Sequence, residues 1–144
     1  MERIDNFVHN LLVRGIGRFL NKPQMPAGSI AAAELAARAV FNSNVAVTLT
    51  ATQMVDSSIL TSTPTASINF TTDIATNIVG ALVGFQVGTW FDFTIINLAA
   101  ATHIITLVAG TGVTLVGSVA IGPASSGTFR ARVDSALAVT IFRI

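Results

Sequence analysis

The sequence predicts a mainly β fold: an antiparallel β-sandwich or barrel-like domain with one short helix, preceded by an N-terminal α-helical segment. Residues 89 to 144 contain successive apolar and β-branched runs separated by turn signals, a pattern typical of antiparallel strands. Two of these runs alternate apolar and polar side chains, which is the period of a half-buried strand. The first 44 residues instead space apolar side chains by three and four, as an amphipathic helix does. We therefore predict a helical anchor over residues 1–44 and a β-rich assembly domain over residues 45–144.

The strand at residues 89 to 97 places three apolar side chains on one face and Asp92 and Thr94 on the other. Residues 128 to 133 alternate in the same way. The strand that follows His103 has apolar side chains on both faces, which predicts that it is covered on both sides. We expect five residues of these strands to be core residues or subunit contacts: Trp90, Phe91, Phe93, Ile104 and Ile105.

The rest of the β-rich domain is less regular. Residues 45 to 50 and 58 to 61 have the β-branched content of strands, and residues 51 to 55 are ambiguous between a strand and one helical turn. The one short helix has its apolar face at Ile74, Ile78 and Leu82, with Thr72 or Asp73 available as its N-cap. Turns or loops are predicted at residues 110 to 112, 123 to 127 and 134 to 136.

The N-terminal segment is predicted to be an amphipathic helix that docks on another surface. Residues 4 to 20 form an apolar stripe that Gly15 and Gly17 weaken, so this helix is expected to form against another surface. That surface is its own domain, another protein such as a shell or a neighbouring subunit, or a membrane. A linker at residues 21 to 28 leads to a second helix at residues 30 to 41. The predicted anchor residues are Ile4, Phe7, Leu11, Leu12 and Phe19.

The composition favours self-association. Charged residues make up 10% of the chain, against about 25% in an ordinary soluble domain. A surface so poor in charge tends to be covered by a partner, so we expect a homo-oligomer. The net charge of +1 gives no basic stripe for nucleic acid, and a chain without cysteine has neither disulfides nor thiolate metal ligands.

No pattern indicates catalysis, a metal site or a cofactor. The seven acidic residues are scattered, and His9 and His103 have no second ligand nearby in sequence. Asp92 has two interpretations: an acid whose pKa is raised beside Trp90, or an ordinary polar residue on the outer face of a strand. We favour the second and predict that the protein is not an enzyme.

Several stretches resemble a family of small virion structural proteins from tailed phages and some large DNA viruses. Residues 87 to 97 match a VGxxFxFxIxN strand, and residues 106 to 115 match a TLxxGxGVTL hairpin. A short helix at residues 72 to 82 precedes them, and strands at residues 129 to 133 and 139 to 143 end the chain in the same order. The similarity covers roughly residues 45 to 144 and leaves the N-terminal segment outside.

The resemblance implies a structural role on the capsid surface of a virion, as a decoration or cement protein or a short, head-spike-like protein, often trimeric. Its partners would be copies of itself and the major capsid protein or another virion protein. No active-site residues are implied. Two alternatives remain: a receptor- or glycan-binding fibre module that exposes Trp90 and the loop at residues 123 to 127, or a membrane-associated vertex protein held by residues 4 to 20.

Overall fold

The structure, a computed structural model, describes residues 38–144 and is mainly β, as the sequence predicts. The predicted anchor residues, from Ile4 to Phe19, lie outside the described residues. The elements, in chain order, are β1 (Phe41–Asn42), β2 (Val47–Thr48), α1 (Ala51–Ser57), β3 (Ile59–Ser62), β4 (Ile68–Thr71), α2 (Ala75–Ala81), β5 (Trp90–Asn97), β6 (Ile105–Val108), β7 (Val113–Val116), β8 (Ala120–Ile121), β9 (Ser125–Ser135) and β10 (Ala138–Arg143).

The strands form two mixed sheets, with a six-stranded order of β1-β3-β5-β9-β10-β7 and a four-stranded order of β2-β4-β6-β8. From β1 to β8 the chain alternates between the sheets, and each strand lies beside the previous strand of its own sheet except β7, which pairs with β10. The antiparallel prediction holds for β5 with β9, β9 with β10, and β6 with β8. The remaining pairs are parallel. Four of them, β1–β3, β3–β5, β2–β4 and β4–β6, join strands of successive passes through one sheet.

Both sheets contribute to one hydrophobic core. Phe93 on β5 and Phe129 on β9 lie directly opposite each other, and their rings stack with centroids 5.5 Å apart. The four-stranded sheet supplies Phe70 and Leu107, which are also neighbours in register. The predicted alternation is therefore confirmed, since the apolar faces of β5 and β9 point into this core.

The start of the described chain differs from the sequence prediction. A helix was expected to continue to Phe41, but residues 38 to 40 have no regular structure and Phe41–Asn42 form β1. The side chain of Asn42 also donates to the hydroxyl of Thr61 across the pair, at 2.9 Å. Phe41 and Asn42 pair with β3 instead of continuing a helix, and the β unit includes residues on the N-terminal side of the predicted boundary at residue 45.

Residues 38–144 contain two short helices, where the sequence predicted one for the β-rich domain. The ambiguous stretch is α1, which begins with a capping box: Thr50 accepts from the backbone of Gln53, and the Gln53 side chain accepts from the backbone of Thr50. Neither predicted residue caps α2, whose N-cap is Ile74. Asp73 instead joins the two helices, because its carboxylate accepts from the N–H groups of Ala51 and Ile74.

A buried amide joins the two sheets at the C-terminal end of β5. Asn97 donates through Nδ2 to the carbonyl oxygens of His103, at 2.8 Å, and Ile121, at 3.0 Å. Its Oδ1 accepts from the N–H of Ala99 at 3.0 Å. Since Ile121 belongs to β8 of the other sheet, this side chain fixes where the six-stranded sheet ends against the four-stranded one.

Candidate assembly surface

An exposed aromatic residue and an ion pair occupy the outer face of β5 and β9. Asp92 lies opposite Arg130 in the β5–β9 register. Arg130 binds both carboxylate oxygens of Asp92, through Nε and Nη2, at 2.8 Å each. The same guanidinium lies 4.0 Å from the ring centroid of Trp90, which is cation–π distance. One arginine therefore holds both an aromatic ring and a carboxylate on the outer face.

The electrostatics of this cluster exclude one of the two interpretations of Asp92. The hydrogen bonds from Arg130 hold the pKa of the Asp92 carboxyl below its ordinary value, although partial burial opposes this. The carboxylate in turn raises the pKa of Arg130. The idea of an acid with a raised pKa beside Trp90 was wrong, because the pairing with Arg130 outweighs any effect of the ring. Asp92 is the outer-face residue that the alternation predicted.

A second pair follows on the same face. Arg132 donates to Oδ1 of Asp134 through Nε and Nη2, at 3.0 and 2.8 Å, and Thr140 donates to Oδ2 of the same residue. The Thr140 hydroxyl and then Arg132 lower the pKa of Asp134. The outer face of β9 therefore carries two arginines that are each matched by a carboxylate, and it has no net charge at neutral pH.

Exposed apolar side chains gather at the end of the six-stranded sheet where β5 begins. We call this set the apolar end. Its members, with their exposed fractions, are Val83 (103%), Phe85 (36%), Val87 (73%), Trp90 (56%) and Leu137 (68%). The first three lie in the loop between α2 and β5, and Leu137 lies in the β9–β10 turn. Such a concentration of large apolar side chains is typical of an interaction surface.

The backbone of the apolar end is held in place by hydrogen bonds. The N–H of Gly88 donates to the carbonyl of Val133 at 2.8 Å, and the N–H of Val133 donates to the carbonyl of Thr89 at 2.9 Å. Within the loop, Gln86 and Thr89 exchange two bonds of 2.9 Å. Gly88, at a φ of 93°, takes a conformation that side chains disfavour. The loop is thus built to a defined shape while its valines face outward.

The five predicted core or contact residues divide into two groups. Phe93 and Ile105 are buried in the core, and Phe91 packs partly buried against it. Trp90 and Ile104 are exposed. They lie at opposite ends of the unit, because Trp90 begins β5 whereas Ile104 follows His103, which is bonded to the far end of β5. The sequence predicted that the strand after His103 is covered on both sides. β6 begins after Ile104, and it alternates the buried Ile105 and Leu107 with the partly buried Thr106 and Val108, so the core covers one face more fully than the other.

The apolar loop was not singled out from the sequence. The available signal was the alternation of Val83, Phe85 and Val87 between Gly84 and Gly88. A strand with that pattern would have buried the three side chains on one face. The two positive-φ glycines make it a loop instead.

The alternative of a binding tip made from Trp90 and residues 123 to 127 does not describe one site. Trp90 pairs with Arg132, whereas Ser125 pairs with Asn97 at the other end of the same two strands. Seven residues of extended chain separate these positions by about 24 Å. Residues 125 to 127 also belong to β9 rather than to a loop, because β5 is long enough to pair with them.

The described residues contain no group of three or more His, Asp or Glu side chains arranged to hold a metal ion. No helix in residues 38–144 is long and apolar enough to span a membrane. Comparison of the chain with protein-family models, curated proteins and solved structures found no match.

Proposed function

We propose that this chain is a virion structural protein, a capsid decoration, cement or head-spike-like protein that self-associates as a trimer. Residues 38–144 would be its assembly domain, with the two sheets packed face to face as a β-sandwich, and the N-terminal segment would dock on the major capsid protein or another virion protein. The resemblance of residues 45 to 144 to small virion proteins suggests this role.

The apolar end is the observation that carries the proposal. A unit with four arginines and four aspartates among residues 38–144 has little charge with which to keep copies apart. It also presents large apolar side chains on a backbone that hydrogen bonds fix. Apolar side chains that are held exposed on a fixed backbone are suited to being covered by another protein.

Docking is tested with the full chain and purified particles of the virus that encodes it. Co-sedimentation of the wild-type chain is compared with that of Leu11→Asp, which places a charge on the predicted apolar stripe, and Asn10→Asp, which adds the same charge off the stripe. We expect Leu11→Asp to lose at least about tenfold in binding and Asn10→Asp to bind like wild type. A wild-type chain that stays in the supernatant would remove the capsid role.

A second candidate function is a receptor- or glycan-binding module, favoured by the exposed Trp90. Arg130 covers one face of the Trp90 ring, which leaves the other face open to contact a sugar or a peptide. A glycan array tests this candidate, with Trp90→Ala as the control. Hits that disappear in the variant would support it.

A further inference from the structure

The apolar end raises the question of what covers it. Scaling the exposed fractions of its five residues by ordinary residue areas gives about 700 Å² of surface, close to the roughly 800 Å² that each partner contributes to a standard protein interface. The largest exposed apolar patch on a typical monomer measures about 300–600 Å². The patch is therefore large enough to supply most of one side of a stable interface.

The charge around the patch indicates a neutral partner. No charged residue occurs between Asp73 and Asp92, so the loop and Trp90 lie in an uncharged stretch of chain. The nearest arginines, Arg130 and Arg132, are each bound to a carboxylate. An anionic lipid surface is recognised by unpaired basic side chains, and the described residues offer none at this end. Two identical neutral patches, by contrast, meet without repulsion.

We propose that the apolar end is the surface through which copies of this chain assemble, with the patch of one copy packed against the same patch of its neighbours around a rotation axis. The proposal rests on the self-association proposed above and names its surface. Trp90 lies at the edge of this contact, and its indole becomes covered when the assembly forms.

The test uses matched pairs of exposed apolar residues in the full chain. The first variant is Val83→Glu with Val87→Glu, at the apolar end. The control is Val45→Glu with Leu98→Glu, which adds the same charge at the opposite end of the unit. Both control residues are exposed, and both lie near the C-terminal end of β3. The N–H of Leu98 donates to the carbonyl of Ser62, and Asn44, next to Val45, accepts from the N–H of Thr63.

Two measurements are made on each protein over a range of concentrations: the mass in solution by light scattering, and the quenching of Trp90 fluorescence by acrylamide. Trp90 is the sole tryptophan in the sequence, so the fluorescence reports this position alone. We expect the wild-type chain to assemble and to protect Trp90. The apolar-end variant should raise the half-assembly concentration by at least about tenfold and expose Trp90, while the control changes it less than about threefold.

A third variant, Val83→Ser with Val87→Ser, keeps the net charge and covers the case in which the glutamates prevent folding. It should weaken assembly in the same direction. If the wild type assembles and the apolar-end variants assemble equally well, the surface is wrong while self-association stands. If the wild type remains a single chain, both proposals fail. A blue shift of Trp90 on adding phosphatidylserine vesicles to that single chain would assign the patch to a membrane, and it too would overturn the proposal.

Discussion

Replacement of Asn97 should destabilise the fold more than any exposed asparagine does. Asn97→Ala removes the acceptor of the Ala99 N–H and the donor to the carbonyls of His103 and Ile121, in a buried position. A buried N–H without a partner costs about 2 kcal/mol, and weakening the two carbonyls adds about 1 kcal/mol. We therefore expect a loss of about 3 kcal/mol in the free energy of unfolding.

The assay is urea unfolding followed by circular dichroism, at one fixed chain concentration because assembly would make the midpoint depend on it. A slope of about 2 kcal/mol/M turns the loss into a midpoint shift of roughly 1.5 M. Asn69→Ala is the matched control, since Asn69 is exposed on β4. A shift for Asn97→Ala no larger than that for Asn69→Ala would refute the claim that this amide joins the two sheets.

Asn97→Asp tests the direction of the hydrogen bonds that Asn97 makes. The carboxylate can still accept from Ala99 but, when ionised, it faces two carbonyl oxygens, so its pKa in the folded state is expected to rise above its unfolded value. Stability relative to wild type should therefore recover as the pH falls from 7 towards 4, as the group takes up its proton. A variant whose deficit is independent of pH in this range would contradict the hydrogen-bond directions assigned to Asn97.

Three further outcomes are expected. Gly112→Ala should cost about 2 kcal/mol in thermal or urea unfolding, because its φ is 78° and an added Cβ would lie 2.5 Å from the carbonyl oxygen of Leu137; no loss would refute the assigned turn. Gly80→Ala, in α2 with open space around it, should instead gain about 1 kcal/mol, and a loss would contradict that environment. Burial opposes ionisation of Asp73 most, but hydrogen bonds from Asn77, Ala51 and Ile74 together lower its pKa. The stabilisation from Asp73 should therefore be present above the ordinary carboxyl pKa and be lost as the pH falls below it. Asp73→Asn should have a lower free energy of unfolding at pH 7 and lose less of it on acidification than the wild type. A loss of stability on acidification equal to that of the wild type would exclude this role of Asp73.

Local patterns were enough to predict β5 and β9. Their alternation of apolar and polar residues has the period of a strand, and the structure buries the faces that the alternation marks. The pairing partners were not predictable in the same way. Whether β7 lies parallel to β10 depends on the path of the chain between two sheets, and no spacing within either strand records that path.

Some signals were present but were not used. Thr50 and Gln53 have the spacing of a capping box and mark the start of α1, a stretch that its apolar pattern alone leaves ambiguous. β8 has only two residues, too few for any periodicity. Of the candidate site, only Trp90 was named from the sequence, as a core residue or a subunit contact. The loop beside it was missed because exposure depends on what the rest of the chain leaves uncovered.

The central claim is that residues 38–144 carry the self-association. The most direct test is the mass in solution, by light scattering, of the full chain and of a chain beginning at Arg38, a start that keeps β1 paired with β3. We expect the same assembly, a trimer, for both. Assembly of the full chain alone would place the contacts in the N-terminal segment, and single chains in both cases would contradict self-association altogether.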